Sequence, residues 1–217
     1  MGDFESERRA MVDGQVRTAD VTDRRLQAAL SAVPRERFMP RSKSALSYSD
    51  SEVEVGAGRW MMRPRDFAKL VQAADIQPRD IILDIAVGRG YSSAVLSRMG
   101  ETVVAVESDA DLVKRAEANL AKTGSDNAVV LNGDLKVGSP DQGEFDVIFI
   151  NGAVDAPARA WFDQLADGGR LAVVVRKGPV GKATIFTRTG NAVGERVIFD
   201  ATPHVLPEFR AEPSFIF

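Results

Sequence analysis

The 217-residue chain has no cysteine. That excludes disulfides, thiol nucleophiles and every metal site built on thiolate ligands. It has a single histidine, His204, so a histidine-rich metal centre is excluded as well. A hydrolase triad would have to use that one residue as its base. His204 sits in the tail between Pro203 and Pro207, which suits a surface or packing role better than a general base. Tyr48 and Tyr91 are the only tyrosines, and neither heads the Tyr-x-x-x-Lys pair of a hydride-transferring enzyme. The longest apolar runs, such as Val147–Ile150 and Leu171–Val175, fall far short of the roughly 18 residues that span a bilayer. Residues 1–10 carry Asp3, Glu5, Glu7, Arg8 and Arg9 where a signal peptide would have an apolar core. The expected location is therefore the cytoplasm, with no membrane association. Lys and Arg number 28 against 31 Asp and Glu, and a net charge of −3 gives no pull toward nucleic acid.

What is present is an ordinary globular mixture, 44% hydrophobic and 27% charged. The pattern changes near residue 75, so residues 1–75 are expected to form a helical cap and residues 76–217 the main domain, within one compact unit. Phe4, Met11, Val12 and Val16 recur at helical spacing, as do Leu26, Ala29, Leu30 and Val33, with Thr22 or Asp20 as N-cap of the second helix. Glu52–Val55 alternates as a short strand would, and Pro64 opens a helix carrying Phe67, Leu70, Val71 and Ala74 on one face. From Asp80 onward strands alternate with helices. Strands are predicted at 81–85, 103–107, 128–131, 145–150 and 171–175, and helices at 91–98, 110–121 and 158–165. Near-continuous apolar strands imply a parallel sheet covered on both faces. Ala183–Thr187 and Arg196–Phe199, joined through Thr189-Gly190-Asn191, read as a closing antiparallel hairpin. The fold class is α/β, a Rossmann-like, mostly parallel seven-stranded sandwich with an N-terminal helical cap.

The informative stretch is Asp84-Ile85-Ala86-Val87-Gly88-Arg89-Gly90-Tyr91. A strand ends beside an acid, and a loop with two close glycines leads straight into a helix. Gly88 and Gly90 offer backbone that a ligand can approach closely. Glu107 ends the next strand, 23 positions after Asp84, where a carboxylate can accept both hydroxyl hydrogens of a ribose. An acid heading the loop would repel a pyrophosphate, but it suits a ligand bringing an ammonium and a sulfonium. S-adenosylmethionine carries both. Gly133-Asp134-Leu135, after the third strand of the sheet, offers a further carboxylate near an adenine amino group.

These residues resemble the class I S-adenosylmethionine-dependent methyltransferases, and among them the protein-L-isoaspartate O-methyltransferase family. The resemblance runs from about Met11 to Val175. Its most specific part is Val33-Pro34-Arg35-Glu36-Arg37-Phe38-Met39-Pro40, followed by Tyr48-Ser49-Asp50, the Gly-x-Gly-Tyr loop, Val106-Glu107-Ser108-Asp109 and Gly133-Asp134. It implies cofactor contacts from Asp84, Ala86, Gly88, Gly90, Glu107, Ser108, Asp134 and Leu135, and methyl transfer to a carboxylate or other oxygen acceptor on a peptide, protein or small molecule. Family members carry Gly-x-Thr-Ile-Ser-x-Pro between cap and sheet, with the serine hydroxyl on the isoaspartyl carboxyl group. Here the segment is Gly58-Arg59-Trp60-Met61-Met62-Arg63-Pro64, with Met62 at the serine position and Trp60 at the threonine position. A thioether cannot donate the hydrogen bond that a hydroxyl gives. Ala86 replaces the first loop glycine, and Leu135 a glycine after Asp134.

On the acceptor side stand Arg59, Trp60, Arg63 and, after the fourth strand of the sheet, Asn151. One of Arg59, Arg63 and Arg65 either binds an anionic acceptor or pairs with neighbouring acids. Trp60-Met61-Met62 either lines a pocket for a greasier acceptor or closes the cleft. Asn151-Gly152-Ala153-Val154 lacks the Asn/Asp-Pro-Pro-Tyr/Phe box of enzymes that methylate base amino groups. The reading from a different class is a non-catalytic binding or interaction module that keeps the fold.

Overall fold

The computed structural model describes residues 3–210. Among the described residues, six α-helices and nine strands follow in chain order: α1 (Phe4–Met11), α2 (Arg24–Ala32), β1 (Val53–Gly56), β2 (Arg59–Met61), α3 (Pro64–Ala73), β3 (Ile81–Ile85), α4 (Tyr91–Leu96), β4 (Thr102–Glu107), α5 (Ala110–Thr123), β5 (Ala128–Asn132), β6 (Phe145–Val154), α6 (Arg159–Asp163), β7 (Leu165–Val175), β8 (Gly181–Thr189) and β9 (Ala192–Ala201). Seven strands form one sheet in the order β5-β4-β3-β6-β7-β8-β9, parallel through β7 and antiparallel for the last two pairings. β1 and β2 form a separate antiparallel hairpin over the cap side. The sequence pattern marks only its first strand.

Alternation along the strands splits the core cleanly between the two faces of the sheet. Ile82, Val103, Ala105, Val147, Phe149 and Val174 pack with the cap and helices α3 to α5. Leu83, Ile85, Val104, Val106, Ile148 and Val173 pack on the other face around Trp161, whose Nε1 donates to the Leu135 carbonyl at 2.8 Å. The cap shares the first of these cores with the sheet. Phe67 meets Phe149 edge-on at 5.6 Å, and Phe38 meets Tyr91 at 5.6 Å.

Local chemistry sets the ends of the elements. Asp23 caps α2 by accepting from the Arg25 and Leu26 amides, in place of the expected Thr22 or Asp20. Asp20 lies three residues upstream of that cap, in a left-handed turn (φ 62°) that closes the preceding short helix. Asp109 caps α5, and Gly124 closes it in the left-handed conformation. The predicted helix 158–165 ends at Asp163, because Leu165 already pairs with Phe145 as the start of β7. Likewise α4 stops at Leu96, where the Met99 and Gly100 amides both turn back to its carbonyl.

Arg35, from the string most characteristic of the family resemblance, is fully buried. Its guanidinium lies 4.7 Å above the Tyr91 ring and donates to the carbonyls of Ser47 (2.7 Å) and Met62 (2.6 Å). One side chain thus ties the cap to the segment that ends in Pro64. An Arg35→Met variant keeps the length but leaves two buried carbonyls unpaired, and should lower stability by about 2–4 kcal/mol. Urea unfolding checks this; an unchanged midpoint would show that the two carbonyls find other partners.

Candidate active site

The chain runs outward from β3 to β4 and β5, then returns to add β6 on the other side of β3. The carboxyl ends of β3 and β6 therefore border the crevice where open α/β sheets bind ligands. Asp84 and Asn151 meet across that point: Asn151 Nδ2 donates to Asp84 Oδ1 at 2.6 Å and to the Ile85 carbonyl at 3.1 Å. The Ser92 and Ser93 hydroxyls, from the first turn of α4, each donate to Asp84 Oδ2 at 2.7 Å. All three donors are neutral. Full burial drives the Asp84 pKa up to about 6, against the lowering pull of Ser93, Ser92 and Asn151, and nearby Glu107 pushes it further up.

The loop between β3 and α4 takes the left-handed backbone at Ala86 (φ 61°), Gly88 (56°) and Gly90 (90°). A Cβ on Gly90 would stand 3.2 Å from that of Ala116 in α5, so this glycine lets helix and loop touch. A Cβ on Gly88 would meet Val55 of the hairpin at 3.2 Å. The hairpin lies directly against the loop.

Glu107, at the end of β4, is completely buried. One oxygen accepts the Gly88 amide at 2.8 Å, and the other accepts the amides of Ser108 (2.8 Å) and Asp109 (3.2 Å). Arg59 completes this shell. Its Nε lies 3.1 Å from both oxygens, while its terminal nitrogens reach the Ser108 hydroxyl (2.8 Å) and the Glu208 carboxylate (2.6 and 3.1 Å). Burial opposes the charge of Arg59, but Glu208 and Glu107 together hold its pKa above the ordinary value. Glu208 is in turn lowered by Arg59, against the cost of burial. Glu208 arrives on the C-terminal segment, where Ala153 exchanges backbone hydrogen bonds with His204 and Leu206.

The remaining predicted residues are spread around this centre. Arg59, expected on the acceptor side, turns its guanidinium toward Glu107 and Glu208. Arg63 and Arg65 both lie against Asp66, at 3.2 and 3.0 Å, with Arg63 Nε not aligned to donate. All three arginines thus pair with acids of the chain itself. Met62 is buried, and with Trp60, Met61, Phe67, Ala86, Gly88 and Asn151 it walls a cleft of only about 20 Å³, room for about one water. Trp60, Met61 and Met62 all line this narrow cleft. Trp60 stacks flat on His204, ring centres 3.7 Å apart, and His204 Nδ1 lies 2.6 Å from Glu52 Oε2. Beyond Glu208, Ser108, Gly133, Asp134 and Leu135 border an open depression of about 580 Å³. Asp134 accepts the Lys136 amide, and Leu135 is buried.

In kind, these donors suit S-adenosylmethionine. Asp84 is a buried carboxylate whose hydrogen-bond partners include no cation, and a sulfonium or ammonium would supply one. Glu107 stands at the strand end where an acid accepts a ribose diol. Glu208 and Glu52 join the site without any sequence signal, since only folding brings the tail and the cap loop to the sheet edge, and Ser92 joins it from the first turn of α4.

The sheet order, the C-terminal antiparallel pair and the loop after β3 define a class I methyltransferase fold. Two solved structures share it: one titled protein-L-isoaspartate O-methyltransferase (TM-score 0.81, 24% identity, 91% of this chain and 65% of that one), and a Plasmodium falciparum protein described as a putative protein-L-isoaspartate O-methyltransferase in complex with S-adenosyl-L-homocysteine (TM-score 0.79, 18% identity, 96% of this chain and 100% of that one). The family model for protein-L-isoaspartate(D-aspartate) O-methyltransferase matches residues 6–202. Proteins named protein-L-isoaspartate O-methyltransferase from Roseiflexus sp. (strain RS-1) and Gloeobacter violaceus are 39% and 36% identical to this chain, over 80% and 87% of it and 79% and 93% of their own lengths. The chain belongs to the protein-L-isoaspartate O-methyltransferase family. Among the described residues no helix is long and apolar enough to cross a membrane.

The Asp84 environment makes a pH prediction. With a folded-state pKa near 6, above the roughly 3.9 of a free aspartate, the folded protein holds a proton that the unfolded chain has released. Stability therefore falls as pH rises from about 4 to about 6, by up to about 3 kcal/mol, and stays lower above that window. An Asp84→Asn variant lacks this component, so it should gain on the wild type between pH 4 and 7 in urea unfolding. Parallel stability curves for the two proteins would contradict the assignment.

Proposed function

We propose that this protein transfers a methyl group from S-adenosylmethionine to a carboxylate oxygen of a protein or peptide, the isoaspartyl carboxylate being the first candidate. The observation carrying this reading is the pair of buried acids, Asp84 and Glu107, on adjacent strand ends with the left-handed loop between them. The names of the relatives supply the acceptor class. The cofactor, when bound, supplies an activated methyl on a sulfonium. Asp84, at the crevice between β3 and β6, offers the negative charge that such a group requires, and Ser92, Ser93 and Asn151 fix its two oxygens. Glu107 offers ribose acceptors, and Ser108 and Asp134 border the depression suited to the base.

No general base is needed on the acceptor side, because a carboxylate is already ionised at neutral pH. The protein's task is alignment, an effect that can be worth about 7–11 kcal/mol. This agrees with a site that has neither a cysteine nor a histidine in the cleft wall. Met62 stands where the family resemblance implies a serine hydroxyl, and its buried thioether gives an acceptor no donor.

Incubation with an isoaspartyl peptide and methyl-labelled cofactor should give a base-labile methyl ester on the peptide. Met62→Ser restores one hydrogen bond to a charged group, worth about 1.5–3 kcal/mol, and should raise kcat/KM about 10- to 100-fold. Equal rates for the two proteins would remove position 62 from the acceptor site. Absence of label with both would reject isoaspartyl methylation.

A further inference from the structure

The narrow cleft and the open depression, the two halves of the site proposed for the cofactor, lie on either side of the contact between Arg59 and Glu208. Arg59 walls the first and Glu208 the second. The ion pair between them (2.6 Å), continued by Arg59 onto Glu107 (3.0 Å), stands as the partition. The two carboxylates come from opposite directions, Glu107 from β4 and Glu208 from the returning tail, while Arg59 comes from the hairpin. We infer that Arg59 is a resident occupant of the cofactor's ribose position, clasped by Glu107 and Glu208, which any nucleoside ligand must displace before it can bridge the two halves.

Three features support this beyond the contact itself. Arg59 is only 3% exposed, so it is built into the site and is not a surface side chain resting on it. Both Glu107 oxygens already receive backbone amides as well as Arg59, which leaves a ribose diol no share of the carboxylate until the guanidinium leaves. The outer carboxylate is less deeply held: the Glu208 side chain is 33% exposed, and its segment is anchored to the sheet edge through Ala153 and the long Asp155–Phe209 contact of 3.4 Å. The clasp can therefore open from the tail side while the sheet stays fixed. Arg59 thus sets the affinity for the cofactor, because apparent affinity scales with the fraction of molecules whose site is free.

This inference rests on the nucleoside-cofactor reading of Glu107, and the test separates the two. S-adenosylhomocysteine is titrated calorimetrically into the wild type, Arg59→Gln and Glu208→Gln, each first checked for folding by circular dichroism. Arg59→Gln empties the ribose position and should bind about tenfold or more tightly than the wild type. Glu208→Gln weakens the clasp without touching Glu107 and should bind severalfold more tightly. If Arg59→Gln fails to fold, Glu208→Gln decides alone. Equal or weaker binding by the folded variants, with measurable binding by the wild type, overturns the clasp and leaves the cofactor reading standing. No binding by the wild type or by any folded variant overturns both.

Discussion

Glu107 is the carboxylate on which this site depends. From the end of β4 it holds the loop after β3 through the Gly88 amide, starts α5 through the Ser108 and Asp109 amides, and anchors the hairpin through Arg59. Three stretches of chain thus converge on two oxygen atoms. A carboxylate so deeply buried is sustainable only because it is fully hydrogen-bonded and faces a cation. The same requirement fixes the hairpin, and through Arg59 it draws the tail residue Glu208 across the mouth of the crevice.

Asp84 solves the same problem differently. It is buried beside Glu107 but receives only neutral donors, so its charge is resisted where that of Glu107 is answered. Two acids on neighbouring strands, one supplied with a cation by the protein and one not, make an asymmetric berth. On the proposed reading, Asp84 faces the positive charge of the cofactor and Glu107 exchanges its arginine for the ribose. On the clasp proposal, cofactor entry is coupled to release of Arg59 from Glu208 on the tail side. The hairpin that carries Arg59 also carries Trp60 and leads into Met62.

The centre of the sheet was legible in the sequence because β3, β4, β6 and β7 are buried on both faces over most of their length and read as continuous apolar runs, whereas the closing pair β8–β9, with its exposed last strand, was legible from its turn residues. The loop from Asp84 to Tyr91 and the acid at Glu107 were legible because strand, loop and helix constrain residue type at fixed spacing. The resemblance through Val33–Pro40 pointed to the family, and folding gives Arg35 in that string a concrete role in holding the Met62 carbonyl. What could not be read were the long-range pairings. Arg59 lies 48 positions from Glu107 and 149 from Glu208, and no periodicity links them. The second strand of the hairpin was also hidden, because Arg59-Trp60-Met61 is too short to show alternation. The cap of α2 was missed because three residues capable of capping, Asp20, Thr22 and Asp23, lie within four positions, and only backbone geometry chooses among them.

The most direct test is a crystal structure of the protein grown with S-adenosylhomocysteine. The account predicts the ribose hydroxyls on the Glu107 carboxylate, the amino-acid end near Asp84, and the Arg59 guanidinium outside the crevice. A ligand seated elsewhere, or one bound with the contact between Arg59 and Glu107 intact, would contradict it.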